Sequence, residues 1–327
     1  MHAPPESLDF EHALRALEGT ARVTPLLEAP ELTERLGRPV LLKLESLQVT
    51  GSFKVRGAAA RLGALTPEER RLGVVVCSSG NHGRAVAYVA HRMGVPATVC
   101  VPSWVDPVKL EGIRSRGAEA VLAGPTFDEA EAHALELARS TGRPYVSAYD
   151  DPRVIAGQGT LALEVLDALE TPPAAFLVPL SGGGLAGGIA AALRWRLGSE
   201  APRTVAVSAA GAAVMLRSIE AGHPVSLPEE ETLANALSGG IGLDNRHSFA
   251  LVRDLVAAHV VVTEDEIAKS MAFAFNDLHI VIEGGGAVGL AAILSGRWYD
   301  GALPGERPVV VVVSGGNVDL ATLSAVL

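Results

Sequence analysis

Short runs of apolar, mostly β-branched residues punctuate the chain: Val40–Leu44, Val74–Cys77, Ala97–Val101, Ala175–Leu180, Thr204–Val207 and Pro308–Val313. They are near-continuous rather than alternating, which reads as strands buried on both faces. Between them lie longer Ala/Leu-rich segments with helical spacing: Arg84–Met93, Phe127–Ser140, Gly157–Leu169, Gly187–Leu197, Glu264–Leu278 and Ala287–Leu294. Continuous strands separated by helices predict an α/β fold of parallel sheets covered on both faces. There is no fixed-period repeat and no low-complexity tract, and 327 residues suit two α/β domains.

Ligands of such sheets sit at the carboxyl ends of the strands. Three strand ends here run into glycine-rich loops. Val74–Cys77 leads to Ser78-Ser79-Gly80-Asn81-His82-Gly83. Phe176–Leu180 leads to Ser181-Gly182-Gly183-Gly184-Leu185, and Val309–Val313 to Ser314-Gly315-Gly316-Asn317. Glycine lets backbone N–H groups approach a ligand, and the first two loops open helices, whose N-termini favour anions. A ligand with a phosphate at one end and a carboxylate at the other fits two such loops.

Charge narrows the partners. Lys and Arg number 27 against 37 Asp and Glu, a net charge of −10. No basic cluster interleaved with aromatics points to nucleic acid, and an acidic surface suits neither nucleic acid nor anionic membranes. The two cysteines, Cys77 and Cys100, sit at the ends of apolar runs, as buried thiols rather than a disulfide framework. No CxxC or HExxH pattern occurs, so no metal site is expected. The N-terminal stretch MHAPPESLDFEHAL is polar and lacks a signal-peptide core, and the longest aliphatic run, Val309–Val313, is too short to span a bilayer. A cytoplasmic location is the expectation.

Familiar motifs fare unevenly. G-x-G-x-x-G occurs at Gly182, Gly184 and Gly187 and again at Gly284, Gly286 and Gly289. A dinucleotide fold also needs an acid at the end of the next strand. Those strands end in Val205-Ala206-Val207-Ser208-Ala209 and in Ser314, with no acid. The hydrolase elbow G-x-S-x-G is absent, since Val76 and Pro179 stand where glycine is required. Taken singly, Ser181 and Ser314 could simply cap helices or turns.

Lys54, in Thr50-Gly51-Ser52-Phe53-Lys54-Val55-Arg56-Gly57, stands at a helix start, where a lysine fits the dipole badly. That helix end, together with a desolvated pocket, would lower the amine's pKa and leave more of the free base that condenses with an aldehyde. Spacing alone does not assign this role.

Five segments in order, Gly51–Gly57, Ser78–Gly83, Gly157-Gln158-Gly159-Thr160, Ser181–Leu185 and Ser314–Asn317, resemble the pyridoxal-phosphate-dependent threonine/serine dehydratase and serine racemase family. This is the fold type II, tryptophan-synthase-β-like class, and the resemblance covers nearly the whole chain. It implies a two-domain fold: a large cofactor-binding domain of residues 1–50 and 154–327, and a small mobile domain of residues 51–153. It implies that Lys54 holds pyridoxal phosphate as a Schiff base and shuttles the Cα proton. Phe53 would pack beside the ring, Asn81 would bond the ring hydroxyl and Ser314 would face the pyridine nitrogen. The backbone of Ser181, Gly182, Gly183, Gly184 and Leu185 would hold the phosphate. Ser78, Ser79, Gly80, Asn81 and His82 would receive the substrate carboxylate. In the racemases of the family, the position of Ser79 gives or takes a proton opposite the lysine.

The implied reaction is dehydration and deamination of a β-hydroxy amino acid to a 2-keto acid and ammonia, with racemisation as the alternative and a homodimer as the expected assembly. A cofactor-holding sensor or carrier without turnover is the reading from outside enzymology. Ala209-Ala210-Gly211-Ala212-Ala213 lacks the acidic residue and proline of the family's cation site, so no metal is expected. The C-terminal regulatory domain of feedback-controlled threonine dehydratases is not expected, since the sequence stops shortly after its last helix. The stretch Leu233–Arg246 resembles the hydroxyectoine-utilisation dehydratases. It reads either as a mark of an unusual hydroxyamino-acid substrate or as a loop packing under the cofactor. Glu283 either reaches the pocket or serves on the surface.

Overall fold

The computed structural model describes residues 7–298, 303 and 305–327, so the first six residues of the polar N-terminal stretch lie outside it. Among the described residues there are nine strands: β1 Leu26–Glu28, β2 Val40–Leu44, β3 Val74–Cys77, β4 Ala97–Val101, β5 Glu119–Leu122, β6 Ala175–Pro179, β7 Arg203–Ala209, β8 Ala258–Val262 and β9 Val309–Val313. They form a six-stranded sheet in the order β1-β2-β9-β6-β7-β8 and a three-stranded sheet in the order β3-β4-β5.

Each expected run is a strand. The three strands without such a run, β1, β5 and β8, lie at sheet edges and carry Glu28, Glu119 and His259, which interrupt the apolar signature. Pairing is parallel except between β1 and β2, so the sheets are parallel-rich, as expected. The physical reason for the one antiparallel pair is length. The link from Glu28 to Val40 holds only the short helix Pro30–Leu36, too little chain for a parallel crossover of a dozen or more residues.

Both faces of each sheet are covered. Val310 and Val312 of β9 pack with Phe176, Ile189 and Leu193, while Val309, Val311 and Val313 pack on the other side with Leu42, Val205 and Leu290. In the small sheet, Val74 and Val76 face Leu62, Val86 and Val89, whereas Val75 and Cys77 face Ala130 and Ala134. Cys77 and Cys100 are free, buried and in register on neighbouring strands, and burial pushes the Cys77 thiol up to about 12. No helix among the described residues is long and apolar enough to cross a membrane.

Several helices begin a turn before their apolar pattern does: Asn81–Met93, Pro152–Ala168, Gly184–Leu197 and Gly284–Leu294. Three of these first turns are rich in glycine or polar residues, that of Pro152–Ala168 being the exception, and they hold through packing rather than periodicity. A Cβ on Gly157 would stand 2.5 Å from the Arg56 carbonyl oxygen, and one on Gly188 2.5 Å from that of Ile155. The correction matters, because it moves Asn81 and His82 from a loop into the first turn of a helix.

The helix Lys54–Gly63 is fastened by a buried ionic network. Arg56, with 0% exposure, donates to both Glu45 oxygens at 2.7 and 2.8 Å and to both Glu164 oxygens at 2.6 and 2.8 Å. Lys43 adds 2.8 Å bonds to Glu164 and to the Thr24 carbonyl, and Thr24 donates to Glu45 at 2.5 Å. Burial opposes ionisation of Glu45, but Arg56 outweighs it and holds the carboxyl below its ordinary range. Removing the guanidinium would strand the Glu45 carboxylate in the interior and leave Glu164 with Lys43 alone. Arg56→Met should therefore cost about 3–5 kcal/mol of stability, read as a lowered urea midpoint; a loss below about 1 kcal/mol would show that the network does not hold the helix.

Candidate active site

The chain before Lys54 is zipped onto the loop after β9. Ser52 and Gly315 form an antiparallel bridge, the Phe53 N–H donates to the Ser314 carbonyl at 3.0 Å, and the Gly316 N–H donates to the Gly51 carbonyl at 2.9 Å. Gly51 takes a φ of +76°, and a Cβ there would overlap the Asn317 side chain, so only glycine serves. Lys54 then opens its helix with a half-buried side chain. Its Nζ donates to the Ala148 carbonyl at 2.9 Å and stands 5.1 Å from the Phe53 ring centroid. Among the described residues no carboxylate forms an ion pair with it. Burial pushes the amine down to about 8, against the opposing pull of the Glu283 charge.

The segment from Val146 to Asp150 threads through the same place, and sequence reasoning missed it. The Val146 carbonyl lies 2.9 Å from His82 Nε2 and the Ala148 carbonyl takes the lysine. Burial, with the nearby Lys54 charge, pushes His82 down to about 3, so its ring is neutral. The Asp150 carboxylate accepts the N–H groups of Arg246, His247 and Ser248 at 2.8, 2.8 and 2.9 Å. It thereby ties the end of the Leu233–Arg246 stretch and the start of the helix Ser248–Leu255 to this segment. The local signal, Asp150-Asp151-Pro152, marks a helix start and says nothing of a site.

Tyr149 closes one wall. A Cβ on Gly182 would overlap its ring, and one on Gly184 would stand 2.9 Å from its backbone. Gly183 has a φ of +86°, Leu185 is buried, and the helix Gly184–Leu197 starts here with its first N–H groups free of intrahelical partners. The turn Ser181–Leu185 is thus glycine-rich because Tyr149, Met215 and Val252 pack directly against it, and its backbone N–H groups at the positive end of a helix suit a phosphate.

Asn81, Glu283 and Asn317 form the opposite side. Asn81 Nδ2 donates to Glu283 Oε1 at 2.7 Å, and Asn317 Nδ2 donates to Asn81 Oδ1 at 2.7 Å. Glu283 is only 6% exposed, which settles its place in the pocket rather than on the surface. Burial pushes its carboxyl up to about 7, with Asn81 and Arg84 pulling the other way. A Cβ on Gly315 would overlap its oxygen. Ser314 is buried, with its hydroxyl 3.3 Å from the Gly285 carbonyl and no carboxylate bonded to it. Ser78 and Ser79 are half-buried and Gly80 is exposed; Ser78 Oγ accepts the Gly80 N–H at 3.2 Å.

The second glycine motif has a packing reason. A Cβ on Gly286 would stand 2.6 Å from the Gly315 carbonyl and one on Gly289 2.7 Å from Val311. These glycines let the helix Gly284–Leu294 lie against β9 and its loop. Ala210–Ala212 is a single 3₁₀ turn, and among the described residues no group of three or more His, Cys, Asp or Glu is placed to hold a metal ion.

A lysine amine lowered toward neutrality, a glycine turn at the start of a helix and an amide facing a buried carboxylate form one set of groups suited to an aldehyde cofactor that bears a phosphate. Comparison with known proteins agrees. A family model described as "Pyridoxal-phosphate dependent enzyme" matches residues 17–315. The chain is 42% identical over 311 residues to a putative threonine dehydratase of Sinorhizobium fredii, across 95% of this chain and 92% of that one. It is 40% identical to an L-threonine ammonia-lyase of Geobacter sulfurreducens, across 95% of this chain and 75% of that one. The solved structure of maize serine racemase superposes with a TM-score of 0.88 at 31% identity, covering 97% of this chain and 96% of that chain. The chain belongs to the family of pyridoxal-phosphate-dependent enzymes, and its fold is the fold type II architecture of its structural neighbours.

Proposed function

We propose that this chain is an ammonia-lyase that dehydrates and deaminates a small β-hydroxy amino acid, threonine or serine in kind. The observation that carries the reading is Lys54. Its amine is held at the start of a helix, unpaired with any carboxylate among the described residues and lowered to about 8. It is therefore available both to hold the cofactor and to take a proton near neutral pH. The names of the relatives, threonine dehydratase and L-threonine ammonia-lyase, support elimination as the reaction.

Pyridoxal phosphate, when bound, supplies the electron sink that acidifies the Cα–H of an amino acid. The protein does the rest. Backbone N–H groups of Ser181, Gly182, Gly183, Gly184 and Leu185 would hold the phosphate. Phe53 would pack beside the ring and Asn81 would bond its oxygen. Ser314 would offer the ring nitrogen a neutral hydroxyl rather than a carboxylate, with no side-chain charge there to hold a proton on it. Ser78, Ser79, Gly80, Asn81 and His82 take the substrate carboxylate, chiefly through backbone amides. Lys54 would remove the Cα proton, and the β-hydroxyl would leave as water by taking up the proton that Lys54 has acquired. The small domain, residues 51–153, closes over the substrate and excludes solvent.

Racemisation is the second reading, favoured by the half-buried Ser79 hydroxyl and by the likeness to maize serine racemase. The Leu233–Arg246 stretch, tied to Asp150 beside Tyr149, keeps a hydroxyectoine-derived amino acid among the candidate substrates. A cytoplasmic homodimer is the form in which the enzyme would work.

Keto acid and ammonia should appear with at least one of L-threonine, L-serine, 3-hydroxyaspartate or a hydroxyectoine-derived diamino acid. Inverted amino acid without ammonia would instead establish racemisation. Lys54→Ala should lower turnover by at least about 10²–10⁴-fold. Ser79→Ala should leave elimination largely intact while abolishing any racemisation, as followed by chiral chromatography. The rate at which apoenzyme takes up the cofactor should climb as pH rises through about 8, because only the deprotonated amine reacts; a climb delayed to the ordinary lysine value of 10.5 would contradict the site.

A further inference from the structure

Four side chains run from the surface to the cofactor site as one directional relay. Arg84 Nη1 donates to Asn317 Oδ1 at 2.6 Å. Asn317 Nδ2 donates to the Thr50 carbonyl at 2.9 Å and to Asn81 Oδ1 at 2.7 Å, and Asn81 Nδ2 donates to Glu283 Oε1 at 2.7 Å. A guanidinium can only donate and a backbone carbonyl can only accept. Between these two poles the Asn317 amide has one satisfactory orientation. Its nitrogen then faces Asn81, which must present its oxygen, and the Asn81 nitrogen must turn to Glu283. Flipping Asn81 alone would set nitrogen against nitrogen at Asn317 and oxygen against oxygen at Glu283. The Asn81 amide nitrogen carries two hydrogens, and Glu283 takes one.

We propose that Asn317 is a positioning residue: held by Arg84 and by the Thr50 carbonyl, it fixes the Asn81 carboxamide so that the remaining N–H, not the oxygen, faces the ring oxygen of pyridoxal phosphate. The inference rests on the reading of Asn81 as the cofactor's ring-oxygen partner and adds the device that sets its polarity. A donor at that point favours the ionised ring oxygen, the form that gives the bound cofactor its visible absorption; a carbonyl there would repel it. Asn317 touches neither cofactor nor substrate in this scheme and acts through Asn81 alone.

The test uses holoenzyme carrying Asn317→Asp, which keeps the shape and loses both N–H donors, alongside Arg84→Lys and Arg84→Met. The cofactor dissociation constant and the ratio of visible to near-ultraviolet absorption are read for each. Asn317→Asp should weaken cofactor binding by about ten- to a hundredfold, the loss of one hydrogen bond to a charged group, and should lower the visible fraction. Arg84→Lys, still a pure donor, should resemble the parent. Arg84→Met should move both readouts in the same direction but less far, since Thr50 still holds the amide, and it serves as the probe if Asn317→Asp does not fold. In an Asn81→Ala background, changes at 317 and 84 should add nothing. Full effects persisting in that background, or unchanged affinity and spectrum in Asn317→Asp, would overturn the relay while leaving the site standing. An Asn81→Ala single variant with parental affinity and spectrum would remove Asn81 from the cofactor, and the relay with it.

Discussion

The position of one amine depends on a charge two residues away. Arg56 sits in the first turn of the helix that Lys54 opens, fully enclosed and bonded to Glu45 and Glu164. A buried guanidinium is tolerable only where carboxylates meet it, so the helix can dock only where Glu45, just after β2, and Glu164, on the helix Pro152–Ala168, converge. The backbone zip of Gly51–Phe53 onto the loop after β9 then sets the rotation and depth of that helix. Ionic docking and backbone pairing together bring the lysine to the end of the central strand, where the Ser181–Leu185 turn and Ser314 already lie.

The electrostatics of the cleft share one cause. Burial pushes Lys54 down to about 8, Glu283 up to about 7 and His82 down to about 3, each toward its neutral form. None receives a full counter-charge: the lysine meets a carbonyl, the glutamate meets an amide, and one histidine nitrogen meets a carbonyl. This contrasts with the Arg56 network, where burial is at least as deep but opposite charges are in contact and stay ionised. One fold thus holds two kinds of buried charge. The paired kind fixes structure; the unpaired kind leaves Lys54 and Glu283 able to exchange protons near neutrality and keeps His82 neutral.

Much of this was legible in the sequence, for identifiable reasons. Strands buried on both faces carry continuous apolar runs, so β2, β3, β4, β6, β7 and β9 stood out, and the glycine turns at the ends of β3, β6 and β9 marked where a ligand would lie. What escaped notice had no periodic signal. The antiparallel edge β1 is three residues long and mostly exposed, and the glycine-rich first turns of helices hold by close backbone packing rather than apolar spacing. Tyr149 and Asp150 lie in an irregular segment between helices, where neither pattern nor composition distinguishes a cofactor wall from a plain connection. Glu283 was ambiguous for a related reason: a carboxylate beside a glycine run reads as surface until burial at 6% exposure places it inside.

The same contacts constrain how the site can close. The segment that carries Lys54 is pinned to the large sheet by Arg56 and by the loop after β9, and the segment leaving the small sheet is pinned at Asp150 by three backbone N–H groups. Both ends of the small unit are therefore anchored, and the β3-β4-β5 sheet shares one core with the helix Lys54–Gly63. It also meets the site through the Asn81 side chain, bonded to Glu283 and Asn317, through Arg84 at Asn317 and through His82 at Val146. On the proposed reading, a substrate carboxylate drawn onto the Ser78–His82 backbone would engage the turn that carries Asn81, while the phosphate would be held by the Ser181–Leu185 turn at the end of β6. Binding energy from the carboxylate end would then align the Cα–H with Lys54.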